Sequence, residues 1–144
     1  MIKYDEIKNI IKIIEECSAV ALTFYKKKHL EISIKDDNSP VTKADLEISR
    51  IATNKLSEIF PNDKIISEEN ITNLNEVDMT KYWLIDPIDG TKEFITKSGF
   101  FTINFALISN NKPVFGIICQ PTTSSIWFNL SLIHISEPTR RSMI

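Results

Sequence analysis

The stretch Trp83-Leu84-Ile85-Asp86-Pro87-Ile88-Asp89-Gly90-Thr91-Lys92-Glu93-Phe94 constrains this chain most, because an apolar run leads straight into two carboxylates, a proline and a glycine. A short aromatic and β-branched run closed by a turn signal predicts a buried strand over Trp83–Ile85, with Asp86 at its carboxyl end. Pro87 fixes φ and removes a backbone donor, and Gly90 opens conformations closed to other residues. Asp86, the Ile88 carbonyl and Asp89 can then turn toward one point. Two carboxylates and a carbonyl oxygen suit a hard cation. The same residue types also make an ordinary solvated Asp-Pro turn, so this stretch alone leaves both readings open.

The 144 residues suit one domain, and a formal charge of -2 gives no reason to expect nucleic acid as a partner. The N-terminus is charged from Lys3 onward and no apolar run reaches membrane-span length, which predicts a cytoplasmic protein with no transmembrane segment. Cys17 falls on an apolar helical face and Cys119 in an apolar strand, the pattern of two reduced core cysteines. Two histidines and no Cys-x-x-Cys argue against zinc. Any metal would be oxygen-bound, which favours Mg2+.

Ile7, Ile10, Ile11, Ile14, Cys17, Ala21 and Phe24 recur at helical spacing and predict an amphipathic helix ending near Lys26-Lys27-Lys28, where cations suit the helix dipole. Leu30–Lys35 alternate as a short strand before a loop at Asp36-Asp37-Asn38-Ser39-Pro40. A second helix is predicted after Thr42, with Asp45 in the reciprocal capping position, Val41 and Leu46 as a hydrophobic staple, and a stripe through Leu46, Ala52, Leu56, Ile59 and Phe60. That capping role alone accounts for Asp45. Lys64–Ser67 reads as a strand delivering Glu68 and Glu69, followed by a polar loop from Asn70 to Lys81. Phe100–Ile108 and Val114–Cys119 predict a hairpin joined by Ser109–Pro113, and Ser125–Phe128 a further strand.

Leu130-Ser131-Leu132-Ile133-His134-Ile135-Ser136-Glu137-Pro138-Thr139-Arg140 matches the translation of a transposase-type sequencing adapter. Residues 130–144 are therefore expected to be a non-native tail, His134 carries no functional weight, and fold reasoning rests on residues 1–129.

Three ordered segments, residues 36–45, 66–69 and 83–94, together resemble the inositol monophosphatase superfamily. Lys92-Glu93-Phe94 makes the chain similar to the bacterial CysQ-type 3'(2'),5'-bisphosphate nucleotidases in particular, and the resemblance runs over about residues 2–129. It implies a layered αβαβα phosphatase, of which residues 1–129 are the N-terminal half, a two-layer α+β portion whose strand edges are left uncovered. It also implies Mg2+ ligands at Glu68, Asp86, the Ile88 carbonyl and Asp89, and catalytic roles for Asp45, Glu68 and Thr91 in orienting a water. Glu68, Ile88, Asp89, Gly90 and Thr91 would meet a small phosphomonoester substrate. Glu69 is not carried over. Family members are about twice this length, and their second half brings a further metal-binding aspartate and much of the substrate pocket.

Three functions follow as expectations. The first is a Mg2+-dependent nucleotidase that hydrolyses adenosine 3',5'-bisphosphate to AMP and phosphate. The second is an inositol monophosphatase or related sugar phosphatase. The third is a metal-binding fragment without turnover, since a truncated chain would be inactive alone. Thr91 has a plainer alternative too, as a cap for a helix following Gly90.

Overall fold

The computed structural model describes residues 1–35, 40–70, 80–130 and 139–142. Helix α1 spans Tyr4–Tyr25 and buries Ile7, Ile10, Ile11, Ile14, Cys17 and Ala21, the stripe predicted from their spacing. Lys26-Lys27-Lys28 follows its last residue, as expected, and carbonyls at this end are met from across the molecule. Lys97 Nζ donates to the Tyr25 carbonyl and, at 3.1 Å, to that of Lys27. Both cysteines are buried and free, and burial pushes the Cys17 thiol up to about 12 and that of Cys119 to about 11.

Strand β1, Ile32–Ile34, pairs antiparallel with β2, Pro40–Thr42. The sequence had put Pro40 in the loop; a proline is tolerated here because this two-stranded ribbon leaves β2 an edge strand. Residues 36–39 of that loop lie outside the described residues. Helix α2, Lys43–Ile59, starts from Thr42 with both halves of the predicted capping box in place. Ala44, Ile48, Ala52 and Leu56 are buried along it, but Leu46 is 50 % exposed. Leu46 is two residues from both Ala44 and Ile48, about 200° around the helix, so it faces away from the core and the stripe excludes it.

Six strands form one sheet in sequence order. They are β3 (Lys64–Ser67), β4 (Lys81–Asp89), β5 (Thr102–Ser109), β6 (Lys112–Gln120), β7 (Ser125–Leu130) and β8 (Thr139–Ser142). β3 and β4 run parallel and every later pair is antiparallel. The β5–β6 hairpin turns on Asn110 and Asn111, with φ of 50° and 62°, the left-handed pair that a two-residue turn matched to strand twist requires. Helices α1 and α2 pack together and cover one sheet face, over Trp83, Ile85, Ile103, Phe105, Phe115 and Ile117. The result is a two-layer α+β unit whose other face carries half-exposed Leu84 and Ile118.

β8 falls in the stretch expected to be a non-native tail, and it lies along β7 with Phe128 opposite Thr139 and Ser125 opposite Ser142. One sheet edge is thus covered where the sequence expected it open. An edge strand offers a row of unpaired amides and carbonyls to any extended segment that reaches it. β3 forms the other edge, with α3, Thr91–Ile95, following β4.

β4 does not stop at Ile85. It runs on to Asp89 through an irregularity, pairing Asp86 with Asn104 and Asp89 with Thr102. Three steps along β4 therefore match two along β5, so one residue is extra. In a regular strand, residues three apart face opposite sides. The bulge at Pro87–Ile88 cancels this. Pro87 and Ile88 both turn inward, and Asp86 and Asp89 emerge on the face shared with Leu84.

Candidate active site

The acidic residues gather at the carboxyl ends of the parallel pair β3 and β4, beside the first turn of α2. Asp45 is 1 % exposed and enters from α2. Its Oδ2 accepts from the Thr42 amide at 2.9 Å and the Thr42 hydroxyl at 2.5 Å, and its own amide donates back to Thr42 Oγ1 at 3.3 Å. Its Oδ1 is left for Thr91, whose hydroxyl lies 3.3 Å away. Burial raises the Asp45 pKa against the opposing pull of the Thr42 and Thr91 hydrogen bonds. Asp45 is thus a cap through one oxygen and a partner of Thr91 through the other.

Glu68 and Glu69 follow β3 in a 3-10 turn. Ser49 Oγ donates to Ser67 Oγ at 2.6 Å, tying the end of β3 to α2 just before this pair. Lys35 separates the two glutamates. Its Nζ is 2.7 Å from Glu69 Oε1 and 3.9 Å from Glu68 Oε1. The Glu69 side chain is only 6 % exposed and closed by that pairing, whereas Glu68 is 53 % exposed. Burial works against the Lys35 ammonium, yet Glu69, Glu68 and Asp45 together hold its pKa above the usual value. Sequence reasoning left Lys35 in an alternating strand, and its reach across the β1–β2 ribbon had no local signal.

Asp86 is the most perturbed carboxyl of the group. Its pKa is raised to about 7, first by burial, then by the charge and hydrogen bonding of Glu68, then by the charges of Asp89 and Asp45. Its Oδ1 is buried with no hydrogen-bond partner. Asp89 is exposed and accepts from Asn104 Nδ2 at 3.2 Å. Gly90 takes φ of 88° to turn the chain into α3. A Cβ at Gly90 would lie 3.1 Å from the Phe100 carbonyl oxygen, so the glycine is required by space as well as by φ. The Thr91 hydroxyl is also 3.2 Å from the Ile88 carbonyl. Gly90, not Thr91, occupies the cap position of α3, so the plainer role for Thr91 falls away.

Glu68 and Asp86 are thus drawn together, and Asp89 shares their face but is held by Asn104. Among the described residues no three His, Cys, Asp or Glu side chains close around a point as a complete ion cage. Carboxylates without a cation between them repel, which keeps such a set apart. The donors nonetheless fit a hard cation: all are oxygens, Asp86 Oδ1 is buried without a hydrogen-bond partner, and the raised Asp86 pKa marks negative crowding that a cation would relieve. No helix among the described residues is long and apolar enough to cross a membrane.

Residues 3–132 match the inositol monophosphatase family. The 3'(2'),5'-bisphosphate nucleotidase CysQ of Haemophilus influenzae is 36% identical over 126 residues, 86% of this chain and 47% of that protein. The crystal structure of CysQ from Bacteroides thetaiotaomicron, a bacterial member of the inositol monophosphatase family, superposes with a TM-score of 0.71 at 30% identity, covering 95% of this chain and 49% of that one. An IMPase/NADP phosphatase solved in complex with Mg2+ and phosphate shares the fold at a TM-score of 0.74 and 20% identity, over 85% of this chain and 46% of that one. The chain spans about half the length of the curated relatives it matches. With the family match running over residues 3–132 and the fold shared with solved members, this chain belongs to the inositol monophosphatase family.

Proposed function

We propose that the protein is a Mg2+-dependent phosphatase, a 3'(2'),5'-bisphosphate nucleotidase that converts adenosine 3',5'-bisphosphate to AMP and phosphate. The observation that carries the reading is Asp86, a half-buried carboxyl crowded by Glu68 and Asp89 with one oxygen buried and unpartnered, at the end of a parallel strand pair. Glu68, Asp86, Asp89 and the Ile88 carbonyl would hold the cation. Bound there, Mg2+ supplies positive charge that polarises a phosphoryl oxygen, acidifies water and offsets charge on the leaving oxygen.

The chain's own residues do the rest. Thr91 gives its hydroxyl hydrogen to Asp45 Oδ1, which leaves lone pairs on Oγ1 to accept a hydrogen from water and aim that water at phosphorus. As the new P–O bond forms and the bond to the ribose 3'-oxygen breaks, the water proton passes through Thr91 to Asp45, and the departing 3'-oxygen takes a proton from solvent to become the 3'-hydroxyl of AMP. Burial raises the proton affinity of Asp45, the direction that step favours. Gly90 and Thr91 lie beside the phosphate's place, at the turn from β4 into α3. Preference for the nucleotide over an inositol phosphate is supported by Lys92-Glu93-Phe94 and by the 36% identity to CysQ.

Because the relatives are about twice as long, the assay is run on the protein extended to their length. A side-by-side kcat/KM on adenosine 3',5'-bisphosphate and inositol 1-phosphate is expected to favour the nucleotide. Higher efficiency on inositol 1-phosphate would replace this reading with the sugar-phosphatase one.

A further inference from the structure

Asn104, in the middle of β5, touches the acidic bulge at both ends. It is the direct cross-strand partner of Asp86, and its Nδ2 donates to Asp89 Oδ2 at 3.2 Å. An ionised carboxylate only accepts, so the amide nitrogen must be the atom facing Asp89, and Oδ1 must point elsewhere. That Oδ1 is buried with no hydrogen-bond partner, as is Asp86 Oδ1 across the ladder. A sheet residue kept for packing alone does not leave an acceptor orphaned, since burial without a partner is costly. Toward the middle of the sheet this face turns apolar, with Ala106 next along β5, Leu84 opposite Ala106 and Ile118 beside Asn104 on β6, while Thr102 on the other side of Asn104 stands opposite Asp89. Asn104 stands where that apolar face gives way to the acidic bulge.

The bulge explains why such a residue is needed. Asp89 lies beyond an irregular, unpaired step of β4 and is solvent-exposed, so its side chain has rotamers to lose when it binds a cation. A hydrogen bond to one carboxylate oxygen fixes the side chain and leaves the second oxygen for the ion. It also orients a ligand in the way that outer partners of metal-binding carboxylates do. We propose that Asn104 is a positioning residue for the cation site, holding Asp89 Oδ2 so that the other Asp89 oxygen is presented on the face it shares with Asp86. This role rests on the Mg2+ reading of the site given above.

The test uses the extended protein, with Mg2+ alone as the probe. Mg2+ is titrated calorimetrically into the wild type, Asn104→Leu and Asp89→Asn, and each protein's thermal midpoint is measured without metal. Asn104→Leu keeps the volume, removes the donor and removes the orphaned acceptor. It is expected to raise the Mg2+ Kd about tenfold or more, with a metal-free midpoint equal to or above that of the wild type. If Asn104→Leu does not fold, Asn104→Ser, too short to reach Asp89, is expected to show the same rise. A residue that merely holds the β4–β5 ladder together would lower the midpoint and leave Kd alone. Unchanged Kd in a folded Asn104 variant, with Asp89→Asn binding lost, overturns the positioning role and spares the metal site. Absence of Mg2+ binding by the wild type, or wild-type binding by Asp89→Asn, overturns the metal reading and this role with it.

Discussion

Thr91 Oγ1 stands 3.3 Å from Asp45 Oδ1, joining the first turn of α3 to the first turn of α2 across 46 residues of sequence. The same oxygen is 3.2 Å from the Ile88 carbonyl. Its single hydrogen has two acceptors in reach, so Thr91 can shift its donation without moving its backbone. Thr91→Val keeps the shape and removes the hydroxyl. Turnover by the extended protein is expected to fall by roughly 10²–10⁴, the range for losing a proton-handling group. Stability is expected to fall by about 1 kcal/mol for the lost hydrogen bond. Steady-state kinetics and thermal melts check both, and turnover within threefold of wild type would remove Thr91 from the mechanism.

The pH dependence of the metal-free protein follows from Asp86. Its folded pKa is about 7 against 3.8 for an unperturbed aspartate. The folded state therefore holds more protons than the unfolded chain between those values, and stability from this group is lost as pH rises through about 7. Without metal, the thermal midpoint of the wild type should drop more than that of Asp86→Asn between about pH 5.5 and pH 8. Saturating Mg2+ should reduce the difference, since a cation replaces the proton. Parallel pH curves for the two proteins would show that Asp86 is not crowded as described.

Much of this arrangement was readable from the chain. Helix faces at Ile10, Ile14 and Cys17, the Thr42–Asp45 capping box, β3 and the hairpin all follow from local periodicity and turn chemistry. The bulge at Pro87–Ile88 was not anticipated, although a signal existed: two carboxylates three residues apart in a strand cannot share a face unless one residue is extra. Leu46 was misplaced because hydrophobicity was counted without its angle on the helix wheel. Lys35 and Asn104 had no signal at all, since an ion pair spanning 34 residues and a cross-strand amide depend on tertiary placement. The side chain of the staple partner Val41 and the residues at 71–79 lie outside what is described.

Gly90 makes the turn into α3 possible, at φ of 88°. Gly90→Ala would place a Cβ 3.0 Å from Glu93 Oε2 and 3.1 Å from the Phe100 carbonyl oxygen. The glutamate can swing away, but the carbonyl belongs to the backbone. The left-handed conformation alone costs an alanine about 1–2 kcal/mol. Denaturant melts should show a loss of at least that size, together with loss of activity. Gly116→Ala is the control, because nothing lies within 4 Å of its added Cβ. It should be neutral or stabilising by roughly 0.5–1 kcal/mol. Equal stability for the two variants would contradict the strained turn.

Phosphate release from adenosine 3',5'-bisphosphate by the extended protein, followed across Mg2+ concentration in the wild type, Asp86→Asn and Asp89→Asn, tests the central claim most directly. The site requires hydrolysis that depends on Mg2+ and falls by on the order of a hundredfold or more in either variant. Both variants should keep their fold, with metal-free thermal midpoints no lower than the wild type's, because each removes one charge from a mutually repelling group. Turnover without Mg2+, or wild-type turnover by either variant at saturating Mg2+, would contradict the assignment of Asp86 and Asp89 as the ligands on which catalysis depends.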